Sequence, residues 1–164
     1  MKIETERLEL HVLDAHQMRL WLDDIPQLEK ELDCSYKAEP MEGFFRTIVE
    51  KQATITEENS KEYFWHSFWF LIRKNDRTVV GSADFKRPPD ENGEVEIGYG
   101  LGKEFEHNGY MTEAVRAMCA WAKVQPEVKY IIAETEPENI RSQNILRRCG
   151  FEETSRDESI WWRL

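Results

Sequence analysis

Glu106-His107-Asn108-Gly109-Tyr110-Met111-Thr112-Glu113-Ala114 follows a strand-like run, Glu94 to Leu101, and opens an amphipathic helix. The helix is predicted from about Met111 to Lys123, with Val115, Met118, Cys119 and Ala122 on one face. A strand, a glycine-centred turn and a helix start together make an anion cradle. The first N–H groups of a helix have no partner inside it, and the helix dipole adds partial positive charge at that end. A phosphate can therefore be held there without lysine or arginine. Gly109 permits close approach of the backbone, while Thr112 and Glu113 suit a first turn, where an acceptor side chain and a negative charge are favourable.

About thirty residues downstream, Asn139-Ile140-Arg141-Ser142-Gln143-Asn144-Ile145-Leu146-Arg147-Arg148-Cys149-Gly150-Phe151 reads as a second helix closed by glycine. Asn139 and Ser142 stand three apart, on one helical face. In this order and spacing the two motifs resemble the GNAT superfamily of N-acetyltransferases, and most closely the branch of the ribosomal-protein N-terminal acetyltransferases. Gly109 takes the place of the phosphate-loop glycine, and Tyr110, Thr112, Glu113 and Ala114 match the branch's continuation. Asn139, Ser142, Gly150 and Phe151 match the later signature. Thr5-Glu6-Arg7-Leu8-Glu9-Leu10 resembles the branch's first strand, and Glu94-Val95-Glu96-Ile97-Gly98-Tyr99 its fourth, so the likeness spans nearly the whole chain.

The resemblance implies an α/β fold: a mixed, mostly antiparallel central sheet flanked by helices and split between the family's fourth and fifth strands. Acetyl-CoA is the implied co-substrate, its pantetheine arm inserted in the split. Tyr99, Gly100 and Leu101 would line that arm, with a backbone N–H near Leu101 placed for the oxyanion. His107, Asn108, Gly109, Tyr110, Met111 and Thr112 would hold the phosphates. Asn139 would hydrogen-bond the arm, or serve as an ordinary helix cap, and Ser142 would bind the cofactor or protonate the thiolate. Gly98 and Gly100 suit a bulge or a close backbone approach. Glu96 stands at the position of the family's carboxylate base; its alternative is a wet strand face shared with Glu94.

Three positions depart from the family pattern. Glu106 stands where arginine or glutamine is preferred, which places a carboxylate near a pyrophosphate unless Lys103 and His107 offset it. Met111 replaces a small residue. Leu146 occupies the position, seven after the asparagine, at which many members carry an acidic tyrosine, leaving Ser142, another hydroxyl or water to supply the proton. Arg141, Arg147 and Arg148 make a basic stripe that could reach a 3′-phosphate.

At 164 residues the chain has the length of one domain, taken as 1–164. Lys and Arg number 22 against 32 Asp and Glu, a formal net charge of −10, which argues against nucleic acid and anionic membranes as partners. A cationic amine, carried by a small molecule or a peptide N-terminus, fits that charge. Cys34, Cys119 and Cys149 are an odd set without paired spacing, and the four histidines are scattered, so reduced thiols, no metal and a cytoplasmic location are expected. No apolar run approaches a membrane span and no leader pattern opens the chain. A monomer or homodimer is expected.

Arg7 to Val12 alternates as a strand, and Asp14 is placed to cap the helix after it. Helices are predicted over Asp23–Ser35 and Met41–Gln52, with Pro26 and Pro40 near their starts. Trp65–Arg73 and Thr78–Phe85 read as a hairpin, Val128–Thr135 as a strand, Glu138–Cys149 as a helix, and the end as two short strands around Ser155-Arg156-Asp157. Trp65, Trp69 and at least one of Trp161 and Trp162 are expected in the core. The reading is direct acetyl transfer to a primary amine, with the cysteines structural. The rival is a CoA-binding module without turnover, motivated by Glu106 and Leu146.

Overall fold

Helix signals in the first third of the chain become three helices. In the computed structural model, which describes residues 1–164, strands β1 (Lys2–Glu4) and β2 (Leu8–Val12) precede α1 (Ala15–Asp23), α2 (Ile25–Leu32), β3 (Ser35–Tyr36) and α3 (Gly43–Glu58). Asp14 caps α1 through a reciprocal box, accepting from the Gln17 N–H at 2.8 Å while its own N–H donates to the Gln17 side chain at 3.0 Å. Pro26 sits in the first turn of α2, where its missing N–H costs nothing. Two boundaries differ from the sequence reading: α2 stops at Leu32, ended by Asp33 in a left-handed conformation, and α3 runs on to Glu58.

The remainder alternates strands with two helices. These are β4 (Phe68–Arg73), β5 (Thr78–Phe85), β6 (Glu94–Leu101), α4 (Tyr110–Lys123), β7 (Tyr130–Thr135), α5 (Ile140–Arg148), β8 (Glu152–Arg156) and β9 (Ile160–Arg163). They form one open sheet in the order β1-β2-β4-β5-β6-β7-β9-β8, with β3 added beside β5. Pairing is antiparallel except for β6 with β7 and the two-residue β3 with β5. Residue 65 closes a short helical turn rather than opening the strand, and the last turn falls at Asp157–Ser159.

Two apolar layers hold the sheet. On one face α4 and α5 cover Leu8, Leu10, Trp69, Leu71, Val95, Ile97, Ile131 and Trp162. On the other, α1 to α3 cover Phe68, Phe70, Ile72 and Val79 with Trp21, Met18 and Val49. Each fully buried large side chain contributes roughly 1.5–3 kcal/mol relative to an exposed one. Trp65, Trp69 and Trp162 are core residues, while Trp161 is half-buried. No helix is long and apolar enough to cross a membrane.

Two irregularities in the sheet position two cavities of the protein. First, β6 changes partner: Glu94 to Glu96 pair with β7, whereas Ile97 to Leu101 pair only with β5. The ladder to β5 uses the even residues of β6, since Lys86 N–H donates to Glu96 O and Gly102 N–H donates to Val80 O. By alternation, the backbone groups of Tyr99 and Leu101 face the gap where β6 and β7 part. Second, β5 bulges against β4 between the pairs Leu71–Gly81 and Ile72–Val79, inserting one residue. The bulge reverses the alternation of β5, so Ala83 and Phe85 enter the α4 layer and Ser82 and Asp84 turn to the face of α3.

Candidate active site

Gly109, the glycine of the expected phosphate cradle, contributes a backbone conformation rather than a side-chain contact. It sits at φ 78° as the N-cap of α4, and no side chain caps that helix. His107, at φ 66°, is also left-handed, which curls the loop so that successive N–H groups converge. The first intrahelical bond runs from Glu113 N–H to Gly109 O at 3.1 Å, leaving the N–H groups of Tyr110, Met111 and Thr112 ahead of it. An uncapped helix start with a left-handed glycine fits a pyrophosphate well.

The loop is braced from the N-terminal strand pair. Glu113 accepts from Thr5 Oγ1, from the Arg7 N–H and from Arg7 Nε, each at 2.8 Å. Arg7 also donates to the Asn108 carbonyl at 2.8 Å and lies over the Tyr110 ring. This explains why Thr5 and Arg7 belong to the same pattern as Glu113 although over a hundred residues separate them. Asn108 is exposed and folds its amide back on the loop, donating to the carbonyls of Phe105 and Glu106, so it shapes the loop without lining the cavity.

A cavity of about 1160 Å³ extends from this loop along the β6–β7 gap to α5. It brings together Tyr99, Gly100, Leu101, His107, Gly109, Tyr110, Met111, Thr112, Asn139 and Ser142. Asn139 is the N-cap of α5, its Oδ1 accepting the Ser142 N–H at 3.2 Å, which leaves its amide N–H groups to donate. Tyr99 and Ser142 share a hydrogen bond of 2.7 Å between their hydroxyls. Burial pushes the Tyr99 phenol up to about 12, so it stays protonated and able to donate. Leu146 is a fully buried core residue, and the Tyr99 phenol stands beside Ser142 in the cavity. Burial raises the Cys119 thiol to about 12 and also raises that of Cys149, which fits structural thiols.

Glu106 is neutralised by an ion pair with Arg141, not by Lys103 or His107. Both members line the cavity. Glu106→Gln should therefore release the Arg141 guanidinium toward the phosphates and tighten CoA binding roughly threefold to tenfold, about the worth of one partly exposed ion pair. Titration calorimetry reads this directly; weaker binding would show that the pair itself builds the site.

A second cavity, about 480 Å³, opens on the opposite face of β6 and touches the first at Tyr99 and Gly100. Its apolar wall is Phe44, Phe45 and Ile48 of α3 with Phe68 of β4. Its floor is the cross-strand row Ser82 beside Gly100 and Asp84 beside Gly98. The two glycines give room to carboxylates: a Cβ at Gly98 would come 2.8 Å from Asp84 Oδ1, and one at Gly100 would overlap the Glu39 carboxylate. Glu96 continues the row outside this cavity, paired with Lys86 at 3.4 Å, and lines neither space. Asp84 and Glu39 escaped the sequence reading because the β5 bulge and the loop before α3 place them.

Comparison with known proteins supplies the family. The description "Acetyltransferase (GNAT) domain" matches residues 9–152. An uncharacterized N-acetyltransferase of Bacillus subtilis, YjdG, is 31% identical over 150 residues, covering 91% of this chain and 88% of that protein. Among solved structures, the ribosomal-protein-S5-alanine acetyltransferase of Vibrio fischeri superposes with a TM-score of 0.70 at 16% identity, covering 100% of this chain and 96% of that one. RimL, a ribosomal L7/L12 α-N-protein acetyltransferase in complex with coenzyme A, gives 0.71 at 14% identity over 100% and 97%. With the split sheet and these matches together, the chain belongs to the GNAT acetyltransferases, and is an acetyl-CoA-dependent N-acetyltransferase.

Proposed function

We propose that the protein transfers the acetyl group of acetyl-CoA to the primary amine of a small molecule or peptide N-terminus by direct attack, with no acyl-enzyme. The observation that carries this reading is the meeting of two cavities at Tyr99 and Gly100, one fitted to phosphates and a pantetheine arm, the other ending in carboxylates. When bound, acetyl-CoA supplies a thioester carbonyl and a thiolate leaving group. The cradle at His107 to Thr112 would hold its phosphates, and Asn139 and the free backbone edge at Tyr99 and Leu101 would hold the arm. That edge also offers an N–H to a developing oxyanion. Ser142, hydrogen-bonded to Tyr99, would return a proton to the thiolate; the phenol behind it makes the pair a better donor than an isolated serine.

Glu96 is the base expected from the strand position; paired with Lys86 and lining neither cavity, it would act at a distance, through water that carries the amine's proton out to solvent. Glu96→Gln should lower kcat/KM by about tenfold and alter its pH profile, less than the roughly 10²–10⁴ of a base in direct contact because the carboxylate acts at a distance. An unchanged rate and profile would remove it from the mechanism. The reading as a whole is tested by calorimetric titration with acetyl-CoA and CoA, followed by thiol release on a panel of primary amines. Micromolar binding with thiol release supports transfer; binding without thiol release on any amine favours the non-catalytic CoA-binding module.

A further inference from the structure

We propose that the second cavity is a receptor for a primary ammonium carried on an apolar group, and that Asp84 is the residue that grips this ammonium and takes its first proton. The inference rests on the acetyl-transfer reading and names its acceptor. Asp84 is only 7% exposed, has no hydrogen bond or ion pair in the protein, and contributes to the cavity wall. A buried carboxylate without a partner is costly, and a cation supplied from outside is what would relieve it. Lys86, just past the end of its own strand, and Glu96 of β6 bear on that charge; Glu39, from the loop before α3, lines the same cavity, and α3 and β4 contribute Phe45, Ile48, Gln52 and Phe68. Two acids against one lysine already paired to Glu96 leave the cavity negative.

The position of Glu39 is fixed rather than incidental. The Tyr36 hydroxyl donates to the Glu39 carbonyl at 2.5 Å, and the missing side chain of Gly100 accepts the carboxylate. Glu39 and Asp84 therefore flank β6 at the two glycines nearest the junction of the cavities. Gln52, Ser82 and Lys86 complete the polar lining, while the wall of Phe44, Phe45, Ile48 and Phe68 is apolar with an exposed rim: Phe44 is 80% and Ile48 37% accessible, a surface suited to an aromatic or aliphatic substituent of the acceptor.

The ammonium gives one proton to Asp84, and the freed nitrogen lone pair forms the N–C bond. The C–S bond breaks, the thiolate recovers a proton from the Ser142–Tyr99 pair, and the second nitrogen proton replaces it. One proton leaves Asp84 for solvent, so ammonium plus thioester yields amide, thiol and H⁺.

The experiment is calorimetric titration of the protein saturated with CoA, using 2-phenylethylamine, its uncharged counterpart 2-phenylethanol, and phenylalanyl-alaninamide as a peptide N-terminus. The wild-type protein should bind the amine at least about tenfold more tightly than the alcohol, the contribution of a buried ion pair. Asp84→Asn should abolish that preference while CoA still binds; Gly98→Ala, which crowds the carboxylate, should reduce it. Amine and alcohol binding alike, a preference that survives Asp84→Asn, or no binding of any probe overturns the proposal. Comparable binding of the dipeptide amide supports it with a peptide terminus as source, and selective binding of the free amine supports it with a small molecule. Loss of CoA binding in the wild-type protein would instead fail the acetyl-transfer reading, and a separate CoA titration distinguishes the two.

Discussion

Gly109→Val should lower CoA affinity at least 100-fold and leave the protein folded. The residue sits at φ 78°, where a β-branched side chain is strongly disfavoured, so valine would drag the loop toward negative φ. Space is not the objection: a Cβ there would meet only Arg7 Nη2, at 3.4 Å. What is lost is the convergence of N–H groups that precede the first bond of α4. Hydrogen bonds to a charged partner contribute about 1.5–3 kcal/mol each, so misaligning two of them removes roughly 3–6 kcal/mol, a factor of 10² to 10⁴. The backbone strain itself costs about 1–2 kcal/mol, small beside the 5–15 kcal/mol that holds a typical domain. Gly109→Ala provides the graded control, with a smaller loss. Calorimetry with CoA and thermal unfolding check both halves; affinity within tenfold of wild type would remove the phosphate-cradle assignment.

The backbone geometry of the proposed donor half was legible because it is local. A glycine before a helix, or an asparagine three residues before a serine, fixes backbone geometry within one turn, and the structure has Gly109 left-handed and Asn139 capping α5 as that geometry requires. Strand parity likewise put Val95 and Ile97 on the buried side of β6. The proposed acceptor half was not legible. Simple alternation from Val79, a core residue of the α3 layer, would place Asp84 on the opposite face; only the extra residue at the β5 bulge returns it. Gly81 marks the place, since a Cβ there would come 2.5 Å from the Gly100 carbonyl, but a strand glycine alone does not say which way the following residues turn. The partner of Glu106 was missed for a related reason: Arg141 lies on a different helix, and only the tertiary fold brings α5 against the loop.

Asp84→Asn should separate stability from activity in opposite directions. Burial pushes the Asp84 carboxyl up from its usual 3.8 to about 6, with Glu96 adding to the rise and Lys86 opposing it. A carboxylate whose folded pKa is raised destabilises the fold when ionised. That cost is absent below about pH 3.8, grows between 3.8 and 6, and is complete above 6. Two pKa units correspond to about 3 kcal/mol, so the asparagine variant should be more stable than wild type by up to that amount at pH 8, with the gain vanishing by pH 4. Catalysis should move the other way. If Asp84 receives the first proton, kcat/KM of the wild-type protein rises with pH through about 6, and the variant loses that limb together with roughly 10²–10⁴ in rate. Denaturant melts at the two pH values, and a pH profile of thiol release with 2-phenylethylamine, measure the two effects independently. A variant no more stable at pH 8, or one retaining the acid limb and most of the rate, would show that Asp84 is neither a buried charge nor the proton acceptor. The expected pairing, a more stable protein that transfers poorly, is what distinguishes a side chain kept for the acceptor from one kept for the fold.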